Sequence, residues 1–121
     1  MADIFFFEQG ADPRPPDEVR IEELQAAPYP DGRRVKLKLV VTPFVERPNL
    51  DVEVFNSAGE SVATVDILET MTTAVELTVH LRSPRPEGEH ILRARLYYEE
   101  MPDQDTREVV FTVTPPEFDS S

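Results

Sequence analysis

Histidine is the side chain best suited to moving a proton near neutral pH, and this 121-residue chain has two, His80 and His90. Nucleophilic catalysis would need a serine or cysteine beside one of them and a carboxylate behind it. His80 falls on the polar face of an alternating segment, and His90 follows the turn around Gly88, so both read as structural or solvent-facing. The absence of cysteine removes disulfides, thiolate nucleophiles and cysteine-ligated zinc together. Gly10, Gly32, Gly59 and Gly88 stand apart and none opens a helical pattern, so no phosphate-cradling loop is expected. Hard oxygen ligands of the kind calcium prefers concentrate at Glu99, Glu100, Asp103, Gln104 and Asp105. That run lacks the glycine-bent spacing of an EF-hand and reads first as a solvated acidic loop between two strands. No catalytic, cofactor-binding or metal-ligating residue is therefore assigned, no cofactor is called for, and the chain is expected not to be an enzyme.

Two apolar features remain. Tyr97 and Phe55 are the outward-facing aromatics of two strands expected to be neighbours, and together they would make a small platform for a sugar ring. The simpler reading is that they cover a sheet face or a subunit contact. Ile4, Phe5, Phe6 and Phe7 form an apolar run that would be an aggregation hazard if left bare. It is expected to be an ordered strand, added to this domain's own sheet edge or to another chain, with the proline-rich stretch 12–17 as the connecting arm. A homodimer through residues 4–7 or through a sheet edge follows as the expected partner, alongside docking of another protein.

The elements that must position these residues read as strands throughout. Twelve prolines against four glycines, between strongly alternating segments, is the punctuation of an all-β protein. Residues 17–27 are expected as a strand broken by a bulge at Glu22 and Glu23. Val35, Leu37, Leu39 and Val41 share one face while Arg34, Lys36 and Lys38 share the other, after the turn residues Pro30, Asp31 and Gly32. Leu50, Val52 and Val54 alternate with Asp51 and Glu53, and the run Asn56 to Gly59 turns the chain into a strand over 61–68. Val75, Leu77, Val79 and Leu81 make a further apolar face. Leu92, Ala94, Leu96 and Tyr98, then Val109, Phe111 and Val113, complete the set before Pro115 and Pro116.

Seven strands with turns at intervals of about 8 to 12 residues predict an all-β, two-sheet immunoglobulin-like β-sandwich. The boundaries expected are an apolar strand and arm over 1–18, the sandwich over 19–114 and a tail over 115–121. Its core is expected to comprise Val35, Leu37, Leu39, Val52, Val54, Val75, Leu77, Val79, Leu92, Ala94, Leu96, Val109, Phe111 and Val113. Charge supports one pairing: Arg34, Lys36 and Lys38 belong beside Glu76, and Asp51 and Glu53 beside Arg93 and Arg95.

The run Gly88, Glu89, His90, Ile91, Leu92, Arg93, Ala94 resembles the glycine, aromatic, leucine, small-residue rhythm of a late strand in immunoglobulin-like and fibronectin type III-like domains. The resemblance covers about residues 19–114 and implies architecture. There is no cysteine pair and no tryptophan, so it is not of antibody type, and His90 stands where a corner tyrosine would be expected. Such sandwiches serve in adhesion, scaffolding, sugar binding and subunit contacts.

The net charge is −12, and 11 of those charges lie in residues 1–24 and 99–121. A phosphate backbone would meet repulsion at both ends, so nucleic acid is not an expected partner. No segment approaches the roughly 20 apolar residues of a membrane helix, and the first residues carry no basic stretch before a long apolar run. A cytoplasmic location is expected, with no membrane partner. The functional expectation is a non-enzymatic structural or protein-interaction module, with a carbohydrate- or calcium-binding sandwich as the alternative.

Overall fold

Period-two alternation is realised along four strands, Arg34–Val41, Asn49–Phe55, Ala74–His80 and Gly88–Tyr98. The computed structural model describes residues 12–83 and 86–115. A 3-10 turn at Pro16–Glu18 precedes β1 (Ile21–Pro28), β2 (Arg34–Val41), β3 (Asn49–Phe55), β4 (Ser61–Ile67), β5 (Ala74–His80), β6 (Gly88–Tyr98) and β7 (Met101–Val113). The strands form two antiparallel sheets, β1-β2-β5 and β4-β3-β6-β7. The expected run 4–7 lies outside the described residues.

Each turn has a local cause. Before β2, the Asp31 carboxylate accepts the backbone N–H of Arg33 at 2.9 Å and of Arg34 at 3.0 Å, while Gly32 supplies a φ of 71°. The Arg34 backbone N–H and guanidinium, with the Arg33 N–H, hold the Asp31 carboxyl well below the usual carboxylate range. Between β3 and β4, the Asn56 side chain accepts from the N–H groups of Ala58 and Glu60, and Gly59 takes a φ of 82°. The register of β1 on β2 shifts between Ile21 and Glu23, where the bulge was expected.

Pairings follow the charges. Lys38 stands opposite Glu76, with Lys36 Nζ 3.7 Å from the Glu76 carboxylate. Asp51 faces Arg95 at 2.7 Å. Glu53 also faces Arg93, but that guanidinium turns to Glu108 on β7, at 2.9 Å.

The core lies between the sheets and is wider than expected. Eleven of the fourteen expected residues are buried; Val75, Leu77 and Val109 pack against the core only partly buried. The reason for Val75 and Leu77 is position, because β5 is an edge strand whose inward side chains are covered from one side only. Val19, Ile21, Leu24, Val62 and Ala63 join the core, as do Val41, Leu50, Leu81 and Tyr98 from the alternating faces.

The acidic stretch 99–105 is not a loop. Glu99 and Glu100 alone make the turn, and β7 begins at Met101, pairing Asp105 with Leu96 and Thr106 with Arg95. Pairing with an already long β6 overrides the weak strand preference of Pro102, Asp103 and Asp105. This start of β7 is clasped by the lead-in to β1. The Ile21 N–H donates to Asp105 Oδ2 at 2.8 Å, Gln104 donates to the Val19 carbonyl, and Arg107 donates to the Glu22 carbonyl.

Candidate functional site

His80 is exposed on the outer face of β5. His90 is 1% exposed and its ring stacks on Phe111, with centroids 5.3 Å apart. Its Nδ1 lies 2.9 Å from the Gly88 carbonyl, which can only accept, so Nδ1 carries the proton. Nε2 is buried without a hydrogen-bond partner among the described residues. The ring thus serves as core packing on β6.

The acidic residues do not converge. Among the described residues no group of three or more His, Asp or Glu side chains is arranged to hold a metal ion. Asp105, a member of the suspected calcium run, is turned inward to the Ile21 N–H, while Glu99 and Glu100 sit at the hairpin tip.

Tyr97 and Phe55 do not form a platform together. Phe55 pairs with Ile91 and Asn49 with Tyr97, so the two rings are six residues apart along β6, about 20 Å at a strand's rise. Arg93 lies over the Phe55 ring at 4.8 Å and Arg95 over the Tyr97 ring at 4.4 Å. A guanidinium therefore occupies one face of each ring, where a sugar would have to stack.

One end of the sandwich gathers three connections: residues 42–48, residues 68–73 and the turn of Glu99 and Glu100. Their backbones are held from below. Tyr98, 2% exposed, donates its hydroxyl to the Glu46 carbonyl at 2.9 Å. Burial, with the Glu46 carboxylate nearby, pushes the Tyr98 phenol up to about 12. The Asn49 side chain accepts the Glu69 N–H at 2.9 Å, and the Thr70 N–H donates to the Pro48 carbonyl at 3.0 Å. Glu69 itself takes a φ of 50°, a conformation that a non-glycine residue adopts only where its surroundings impose it. The lead-in adds a second tie, with Arg14 donating to the Pro43 carbonyl and accepting from the Val45 N–H.

On this pinned frame three large apolar side chains face outward: Val45 at 70%, Leu68 at 69% and Met71 at 77% exposure. Leu68 and Tyr97 wall a groove of about 490 Å³, with Glu46, Glu69, Glu99 and Glu100 around it against a single Arg47. Sequence reading missed this end, because exposure of Leu68 and Met71 depends on how residues 68–73 are tethered. The available signal was Leu68 following Ile67 directly, out of alternation at the end of the strand expected over 61–68, which the structure ends at Ile67, next to a threonine-rich run.

The fold and this loop end define a seven-stranded, two-sheet antiparallel β domain. No family model matches the sequence, and no curated protein matches it. Solved structures do match the fold. A family 76 glycoside hydrolase from a bovine Bacteroides thetaiotaomicron strain aligns with a TM-score of 0.62 at 13% identity, over 78% of this chain and 20% of that one. The β-glucuronidase of Parabacteroides merdae aligns at 0.61 and 13% identity, over 78% of this chain and 13% of that one. A glycosyl hydrolase family 2 member from Bacteroides cellulosilyticus aligns at 0.57 and 12% identity, over 78% of this chain and 15% of its own. The chain therefore spans a small part of each neighbour's length, and at these identities the likeness is one of fold. Among the described residues no helix is long and apolar enough to cross a membrane.

Proposed function

We propose that the chain is a non-enzymatic, immunoglobulin-like module of the fibronectin type III kind, whose loop end holds a segment of a protein partner. The carrying observation is the combination at that end: a backbone fixed by Tyr98, Asn49 and Thr70, and three exposed apolar side chains standing on it. A preorganised apolar surface loses little conformational entropy on binding, which is what a docking site needs. Its carboxylate rim suits a partner segment of basic character. The lack of cysteine suits a reducing compartment such as the cytoplasm.

A second reading is supported by the glycoside hydrolase neighbours: a carbohydrate taken into the groove and held by hydrogen bonds to Asn49 and the carboxylates beside Tyr97. A random displayed-peptide selection on the full chain, followed by chemical-shift mapping, separates the two. Under the first reading the enriched peptides perturb Leu68 and Met71, and a Leu68→Ser, Met71→Ser variant loses them. A sugar that raises the melting temperature and perturbs Tyr97, with no peptide mapping to the loop end, overturns it in favour of the second.

A further inference from the structure

Among the described residues, the outer edge of β5 is a sheet edge that no proline or bulge interrupts from Glu76 to His80. The start of β7 is clasped by the lead-in to β1, and β1 itself carries a bulge and ends at Pro28. At the start of β4, the Val62 carbonyl is taken by the Arg82 N–H, and Asp66 places a charge near the end of that strand. On β5 no proline, bulge or inward charge interrupts Ala74–His80.

The edge's hydrogen-bonding residues can be read from its inner side. The Val41 N–H donates to the Thr73 carbonyl and the Leu81 N–H to the Arg33 carbonyl, so odd-numbered residues bond β2. The N–H and C=O groups of Glu76, Thr78 and His80 therefore point outward, with no partner among the described residues, while those of Ala74 are taken by the Thr72 hydroxyl at 3.2 and 3.1 Å.

We propose that this edge pairs antiparallel with the β5 edge of a second copy, about a two-fold axis at Thr78. A two-fold axis allows few registers, and charge chooses among them. Centring on Glu76 sets Glu76 against its own copy, a repulsive pair. Centring on Val79 or on His80 requires Arg82, whose N–H is already given to Val62. Centring on Leu77 leaves His80 facing Ala74 and makes no charged contact. Centring on Thr78 sets Glu76 against His80 of the second copy, and the symmetry makes that contact twice. Within each sheet His80 neighbours Arg34 and Glu76 neighbours Lys38, so the row across the junction runs Arg34, His80, then Glu76 and Lys38 of the second copy. The pairing also covers Val75 and Leu77, the inward side chains that the monomer leaves partly open. The site is separate from the loop end, so the two proposals stand or fall independently.

Sedimentation of the full chain over a range of concentrations tests it. The wild type is expected to dimerise. Thr78→Pro removes an N–H that the monomer does not use, so it should keep its strand signal and lose the dimer. His80→Glu should weaken the dimer about tenfold, and adding Glu76→Lys should restore it. The register has its own test, because the chain has no cysteine. Opposed residues in a hydrogen-bonded pair lie about 5.5 Å apart between Cα atoms, within disulfide reach. Thr78→Cys should therefore cross-link to its own copy on oxidation, and Glu76→Cys should not. A wild type that stays monomeric, a dimer indifferent to Thr78→Pro, a dimer lost only when residues 1–10 are removed, or cross-linking through position 76 would each overturn the proposal.

Discussion

A single phenol ties the interior to the loop end. Tyr98 is the last inward residue of β6, and its hydroxyl reaches past the core to the Glu46 carbonyl. Its ionisation is pushed up to about 12, chiefly by burial. A group whose folded value lies above its unfolded value, here about 10, stabilises the fold fully below that unfolded value. The contribution is then lost as pH rises from about 10 towards 12, because the unfolded chain ionises first. Of three tyrosines, one should therefore titrate late in an absorbance titration, and Tyr98→Phe should abolish that late phase. The same variant leaves the Glu46 carbonyl unpaired and should cost about 1 kcal/mol near neutral pH. An unchanged late phase would assign it to another tyrosine. His90 shows the opposite use of a polar ring, as packing against Phe111 with one nitrogen satisfied locally.

At the scale of the strand, alternation carries nearly all the information. β2, β3 and β6 bury alternate residues from end to end, and their faces were legible because both flanking strands are present to cover them. Legibility fails at edges and ends. Val75 and Leu77 have the same residue types and spacing as Val35 and Leu37 but sit on the outermost strand, a fact about neighbours that no local pattern encodes. The start of β7 failed similarly, since Met101 to Asp105 become strand by pairing with β6. The loop end was illegible because its exposed Leu68 and Met71 are set by tethers from Pro48 and Asn49, some 20 residues away. This distinction orders the cost of truncations. For the monomer, Leu96→Ala, at 0% exposure between two sheets, should lose about 2 to 5 kcal/mol, whereas Leu77→Ala should lose clearly less. Urea denaturation of both variants at protein concentrations low enough to keep the chain monomeric checks the order, and equal losses there would mean that Leu77 is fully covered within the single chain.

For the molecule as a whole, the charge that shapes solubility is largely separate from the forces that hold the fold. The net charge is −12 and the isoelectric point about 4.5. Among the described residues the ion pairs lie on the surface, the most covered being Arg95 with Asp51, at 36% and 25% side-chain exposure. Pairs of this kind contribute about 0 to 1 kcal/mol each, small beside a core of twenty buried apolar side chains among the described residues. Asp31 is the carboxylate most strongly held in its charged form, by the Arg34 N–H first and then its guanidinium. Its folded value is depressed, so its stabilisation is present above the unfolded value near 4 and is lost only as pH falls further. Asp31 thus stays charged down to the isoelectric point, while the repulsion that keeps molecules apart vanishes there. Acidification should therefore bring a maximum of light scattering near pH 4.5, with the β-type circular dichroism signal intact down to that point. Loss of that signal well above about pH 5 would show that the surface carboxylates, and not the two-sheet core, carry the stability.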